Sequence, residues 1–142
     1  MNAPMRTYGS MHFSRQEQCW VVDRVEPHVA LRLKQLFPRI PTSSKGPFFL
    51  RGGTDVACDL EWFLMRYPLD VPADDKRYLH QQSELFAADQ AETERILLPS
   101  YTPTERPGLN EGQRLLSYQK TAVDLTEIVK NLLIADDVGL GK

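Results

Sequence analysis

Leu132-Leu133-Ile134-Ala135-Asp136-Asp137-Val138-Gly139-Leu140-Gly141-Lys142 is the stretch on which the reading of the chain turns. Leu132 to Ala135 is a short, continuous apolar run, the pattern of a strand buried on both faces of a parallel sheet. The residues after it form a glycine turn that ends on a lysine. Glycines in such a turn let consecutive backbone N–H groups close around phosphates. A lysine ammonium reaches the β- and γ-phosphates, and a following Ser or Thr holds Mg²⁺. Val138, Gly139, Leu140, Gly141 and Lys142 are therefore candidate phosphate-binding residues, and the Mg²⁺-binding Ser/Thr would come after Lys142. The same residues also fit a plain strand with an ordinary glycine turn and a solvated Lys142, so the residues upstream have to discriminate. Asp136 and Asp137 are better placed to shape the turn than to act as paired carboxylates, because like charges beside phosphates weaken binding unless Mg²⁺ or Lys142 screens them.

Upstream stands Leu115-Leu116-Ser117-Tyr118-Gln119, followed by apolar positions at Ala122, Leu125 and Val129. With Leu115 and Tyr118 these recur at spacings of three and four, which predicts an amphipathic helix. Ser117 or a neighbour can cap its start, and Asn131 sits where a helix commonly gives way to the next element. The predicted order is helix, tight connection, buried strand, phosphate loop.

In that order and separation the chain resembles the Swi/Snf class of helicase-like, DNA-dependent ATPases within the DEAD/DEAH-box superfamily. These carry Leu-x-Pro-Tyr-Gln, a helix, and a strand ending in Ala-Asp-(Asp/Glu)-(Met/Val)-Gly-Leu-Gly-Lys-Thr. Residues 115–119 and 135–142 match, with Ser117 in place of the usual Pro. The resemblance rests on residues 113–142; a vaguer likeness joins Asp59 to Leu69 with the accessory region ahead of the ATPase core in some bacterial and phage relatives. It implies an α+β accessory N-terminal domain, followed by the first helix, strand and P-loop of an α/β RecA-like ATPase core. It also implies ATP with Mg²⁺ as cofactor, DNA as partner, Gln119 with Tyr118 as the adenine-binding residues, and ATP hydrolysis coupled to DNA translocation or remodelling. The Gln amide suits adenine because it can both donate and accept a hydrogen bond.

The Mg²⁺-holding Ser/Thr, the Asp-Glu-x-His box and the second lobe with its arginine finger are not among the 142 residues. The chain by itself is expected not to hydrolyse ATP, and no catalytic residue set is complete in it. The competing expectation is a truncated, non-catalytic module that binds nucleic acid or protein through its N-terminal domain. A P-loop enzyme outside the helicases, such as a nucleotide kinase, is argued against by Tyr118-Gln119.

A hydrophobic fraction of 42% with 25% charged residues is that of a folded chain and not of a disordered tail. No stretch approaches the roughly 20 apolar residues of a membrane span, and Met1 to Arg6 lacks the apolar core of a signal peptide, which sets the expectation of a cytoplasmic protein. Cys19 and Cys58 stand far apart without Cys-x-x-Cys or Cys/His clustering, so no zinc site or disulfide framework is indicated and both are expected to pack as small hydrophobes. His12, His28 and His80 have no partners at metal-ligand spacing. Net charge is -2 but unevenly spread: residues 1–53 hold eight Lys/Arg against three Asp/Glu, and the remainder is acidic. Arg24, Arg32, Lys34, Arg39, Lys45 and Arg51 are candidate phosphate contacts, without any base-reading motif.

Along the chain, Tyr8–Phe13 and Cys19–Val25 read as a hairpin. Pro27 suits the first turn of a helix running to about Phe37, stopped by Pro38 and Pro41. Phe48–Leu50 reads as another strand. Thr54 is placed to cap a helix over Asp55–Tyr67, and a third helix follows Pro72 toward Leu98 with Tyr78, Leu79, Leu85, Phe86, Ile96 and Leu97 as its apolar positions. Trp20 and Trp62 both fall in expected core elements. Pro99, Pro103, Pro107, Gly108 and Gly112 mark a linker. The expected organisation is 1–98 accessory domain, 99–112 linker and 113–142 the opening of the ATP-binding domain.

Overall fold

The computed structural model describes residues 4–108 and 110–129. Within them the chain forms three strands and four helices in the order β1 (Ser10–Ser14), β2 (Cys19–Asp23), α1 (Pro27–Leu36), β3 (Phe48–Arg51), α2 (Thr54–Arg66), α3 (Ala73–Leu97) and α4 (Ser117–Val129). None of these helices is long and apolar enough to cross a membrane. Packing groups the chain into two units, 1–86 and 87–142, divided within α3.

The first unit is built on a three-stranded antiparallel sheet in the order β1-β2-β3. Strand alternation puts every second side chain on one face, and the register lines those side chains up in two rows. Met11 lies opposite Val22 and Val22 opposite Phe48; Phe13 lies opposite Trp20 and Trp20 opposite Leu50. All six are buried. Val29 and Leu33 of α1, with Val56, Ala57, Leu60 and Phe63 of α2, complete the same hydrophobic cluster. The helical residues come from spacings of three and four, which is why α1 and α2 each offer a single apolar stripe to the sheet. The Phe13 ring lies 4.9 Å from Trp20 and 4.7 Å from Tyr78 of α3, at tilted angles of the kind aromatic quadrupoles favour.

Turns are tied by local bonds. Gln18 sits at φ 52°, and its side-chain amide donates to the Arg15 carbonyl at 2.6 Å. Gly52 leaves β3 with its N–H donating to the Gln18 carbonyl at 3.0 Å, and a Cβ there would stand 2.7 Å from that oxygen, so only glycine fits the approach. Lys34, in the last turn of α1, donates from Nζ to the Thr42 and Ser44 carbonyls at 2.7 and 2.5 Å, folding the loop back on the helix end where a cation is favourable.

The free edge of β1 is covered by the connection between α2 and α3. Tyr8 N–H donates to Pro68 O, Asp70 N–H to Gly9 O, and Met11 N–H to Asp70 O, all within 2.8–2.9 Å. One residue pair further along the edge, the Phe13 N–H donates to the Asp75 carboxylate at 3.1 Å. An acidic residue in the first turn of α3 thus completes the strand edge.

Among the described residues the expected elements lie within a few residues of the observed ones, with four differences at the level of side chains. Thr54 is the first helical residue of α2 and the cap is Gly53, in extended conformation with its carbonyl accepting from Ala57 N–H at 3.0 Å. Trp62 is 61% exposed, whereas Trp20 is 1% exposed, because Leu60 and Phe63 take the inward positions of α2 and turn Trp62 outward. Leu85 and Leu97 of α3 are also exposed, while Leu79 and Ile96 are buried. Cys19 and Cys58 are free thiols and only partly buried.

Removing the Asp75 carboxylate leaves the Phe13 N–H without its acceptor, a loss of about 1–3 kcal/mol for a buried donor. Asp75→Ala is expected to lower stability in urea unfolding by an amount in that range, and Asp75→Asn, which keeps an acceptor oxygen, to recover most of it.

Candidate functional site

α4 carries the two described residues of the expected nucleotide site. Leu116 caps it: its carbonyl accepts from Lys120 N–H at 3.1 Å, and its own N–H donates to the Gln119 side-chain Oε1 at 2.8 Å. That is the reciprocal half of a capping box, in which the third helical residue reaches back to the cap N–H. Of Ser117 and its neighbours, expected to cap the helix, Leu116 takes that place; Ser117 is the first helical residue, and its carbonyl accepts from the Thr121 hydroxyl at 3.0 Å. Gln119 is thereby held at its side-chain oxygen. Tyr118, beside it, is 40% exposed. Val138, Gly139, Leu140, Gly141 and Lys142, with the preceding strand and Asp136 and Asp137, lie outside the described residues.

The opposite side of α4 holds a site that the sequence did not announce. Asp124, 4% exposed, accepts from the Tyr101 hydroxyl at 2.6 Å, from the Thr104 N–H at 3.0 Å and from the Arg106 guanidinium at 2.7 Å. Arg106 also reaches Glu127 at 3.0 Å, and Lys120 pairs with Glu105 at 2.8 Å. The Arg95 guanidinium lies over the Tyr101 ring, 5.1 Å from its centroid. The Pro-rich stretch that composition reads as a linker is therefore laid along α4 and fastened at a buried carboxylate.

Burial by itself pushes the Asp124 carboxyl up. The Thr104 N–H, the Tyr101 hydroxyl and the Arg106 guanidinium outweigh it and hold the group far below the usual carboxylate range. The Tyr101 phenol is pushed above its ordinary value, first by its hydrogen bond to Asp124. With both lone-pair-bearing oxygens engaged by three partners, Asp124 is suited to hold structure and not to transfer a proton. The signal that would have found it is an acid among the inward positions of an amphipathic helix, which calls for a donor set nearby; Tyr101 and Arg106 supply one.

Among the basic residues named as phosphate contacts, Lys34 is committed to the Thr42 and Ser44 carbonyls and Arg51 pairs with Asp55 at 2.6 Å. Arg32 donates to the neutral Gln35 side chain at 2.9 Å. Among the described residues no group of three His, Cys, Asp or Glu side chains is arranged to hold a metal ion. His80 lies between Glu61, at 2.6 Å, and Glu84, at 3.3 Å; these carboxylates, Glu61 foremost, raise the imidazole above its ordinary value.

No family model, curated protein or solved structure matches the chain.

A carboxylate whose folded value is depressed contributes stability above its unfolded value, near 3.9 for Asp, and loses it as pH falls. Amide exchange in α4 is expected to be slow near neutral pH and to speed up as pH drops below about 4, after correction for the intrinsic pH dependence of exchange. In Asp124→Asn the exchange is expected to be faster at neutral pH and to lack that acid transition.

Proposed function

We propose that the chain supplies the ATP-docking part of a Swi/Snf-like, DNA-dependent ATPase, in which ATP hydrolysis drives movement along DNA or its remodelling. The support is the ordered pairing of Leu115 to Gln119 with Ala135 to Lys142, together with the position of Gln119 at the start of α4, held by the Leu116 N–H. A glutamine fixed at one oxygen presents an amide plane of defined orientation. Adenine offers an acceptor nitrogen beside an amino donor, which such an amide matches, whereas guanine offers acceptors at the corresponding positions.

Lys142 is the phosphate grip in this reading and the backbone of Val138 to Gly141 the cradle. Mg²⁺ would be held by the Ser/Thr that follows Lys142 and would supply charge neutralisation for transfer of the γ-phosphoryl group to water. The share of these residues is to bind and orient ATP; turnover also needs a Ser/Thr after the lysine, an acidic box and an arginine finger.

Gln119→Glu separates adenine recognition from helix capping, because a carboxylate still accepts the Leu116 N–H but no longer donates. In a chain that carries the remaining motifs, Gln119→Glu is expected to raise the KM for ATP about tenfold, the scale of one lost hydrogen bond donated to the base. Lys142→Ala is expected to abolish ATP hydrolysis. Steady-state hydrolysis assays check both, and wild-type turnover in the Lys142 variant would remove the basis of the proposal.

A further inference from the structure

Trp62 and Arg66 are one helical turn apart on α2, and Arg32 and Gln35 occupy the neighbouring part of α1. With Phe63 and Tyr67 they line a groove of about 550 Å³. Trp62 is 61% exposed there, and Met65 and Leu31 on the same two helices are also exposed. No carboxylate lines the groove.

Of the chain's arginines, five are held in ion pairs, and Arg15, Arg24, Arg39 and Arg114 lie outside the groove with none among the described residues. Arg6, Arg51, Arg77, Arg95 and Arg106 each pair with a carboxylate. Arg32 and Arg66 have no carboxylate partner among the described residues, and the side-chain contact of Arg32 is to the neutral Gln35. An exposed indole flanked by two guanidiniums whose charge is not neutralised has the chemistry for a ligand that is flat and aromatic at one point and anionic at the next.

We propose that this groove binds single-stranded nucleic acid, with Trp62 as the platform on which a base stacks and Arg32 and Arg66 as contacts to the flanking phosphates. Base–aromatic stacking is tolerant of sequence because every base has a π-face, and paired with cationic side chains it is the usual means of holding single strands. A duplex offers the phosphates but not the face, since its bases are already stacked. An acidic peptide would satisfy the arginines and leave the indole unused. The inference stands on residues of the first unit alone, needs no residue of the phosphate loop, and does not rest on the ATPase reading.

The two tryptophans make the test direct. Trp20 is buried, so quenching of emission by an added strand reports Trp62. The 142-residue chain is titrated with a fluorescently labelled oligo-dT, an oligo-rU and a duplex of the same length, with anisotropy for affinity and tryptophan emission for stacking. Both single strands are expected to bind with quenching, and the tighter of the two identifies DNA or RNA as the preferred strand. Trp62→Ala is expected to weaken binding about tenfold or more, the scale of one lost stacked base, and Trp62→Phe, which keeps a ring, to restore most of it. Arg32→Gln with Arg66→Gln is expected to reduce the slope of log affinity against log salt by about 1.4, two phosphates' worth for a single strand. The proposal is overturned by absence of binding, by unchanged affinity in Trp62→Ala, by a Phe variant as weak as the Ala variant, or by a duplex that binds as tightly as the single strands.

Discussion

A three-stranded sheet has two edges and one face to hide, and the free edge of β1 is the constraint around which the first unit is arranged. Its outward N–H groups at Met11 and Phe13 need acceptors, and a carbonyl at Asp70 and a carboxylate at Asp75 provide them. Those two residues flank the start of α3. Satisfying the edge therefore fixes where α2 must end and where α3 must begin, since Pro68 and Pro72 leave only a short extended segment between them. An edge closed in this way is also denied to any other chain.

The placement of the helices follows from the same geometry. Once β1 and β2 are registered, the buried rows Met11–Val22–Phe48 and Phe13–Trp20–Leu50 define a strip that α1 and α2 must cover. Each helix has one stripe wide enough to do so. Leu60 and Phe63 take the inward positions of α2, and Trp62, between them in sequence, is turned outward. The exposed indole is thus a by-product of a phase that the core imposes, and its surroundings of Arg32 and Arg66 give it a chemistry that the core does not need.

How much of this was legible depended on the kind of signal. Elements were readable because period two and spacings of three and four are local properties: β1, β2, α1, α2 and the start of α3 all lie near their expected bounds. The phase of a helix is less local. Both Trp62 and Leu60 fit an apolar reading of α2, and only the width of the stripe admitted by the sheet decides between them. The cap was misread at Thr54 and left open between Ser117 and its neighbours for a related reason. A hydroxyl residue near a helix start suits either the cap or the first turn, and the backbone bonds from Ala57 to Gly53 and from Lys120 to Leu116 set the start of each helix. Asp124 was hidden because its partners Tyr101, Thr104 and Arg106 lie some twenty residues away in a stretch whose prolines suggested freedom.

Charge allocation connects the two regions where function is proposed. Near α4 the polar groups are consumed by structure: Asp124 is bound by three partners, and the Gln119 oxygen is engaged by the helix start. A residue so held has little rotamer entropy left to lose when a ligand arrives, which favours recognition by orientation. Between α1 and α2 the situation is reversed. Arg32 and Arg66 retain unneutralised charge and Trp62 retains an exposed face, so the attraction there is electrostatic and apolar, tolerant of the partner's sequence and sensitive to salt. In the proposed reading one region would select a small molecule by its edge, and the other would hold a polymer by its repeating backbone and stacked bases. An ATPase that acts on a nucleic acid needs both kinds of contact.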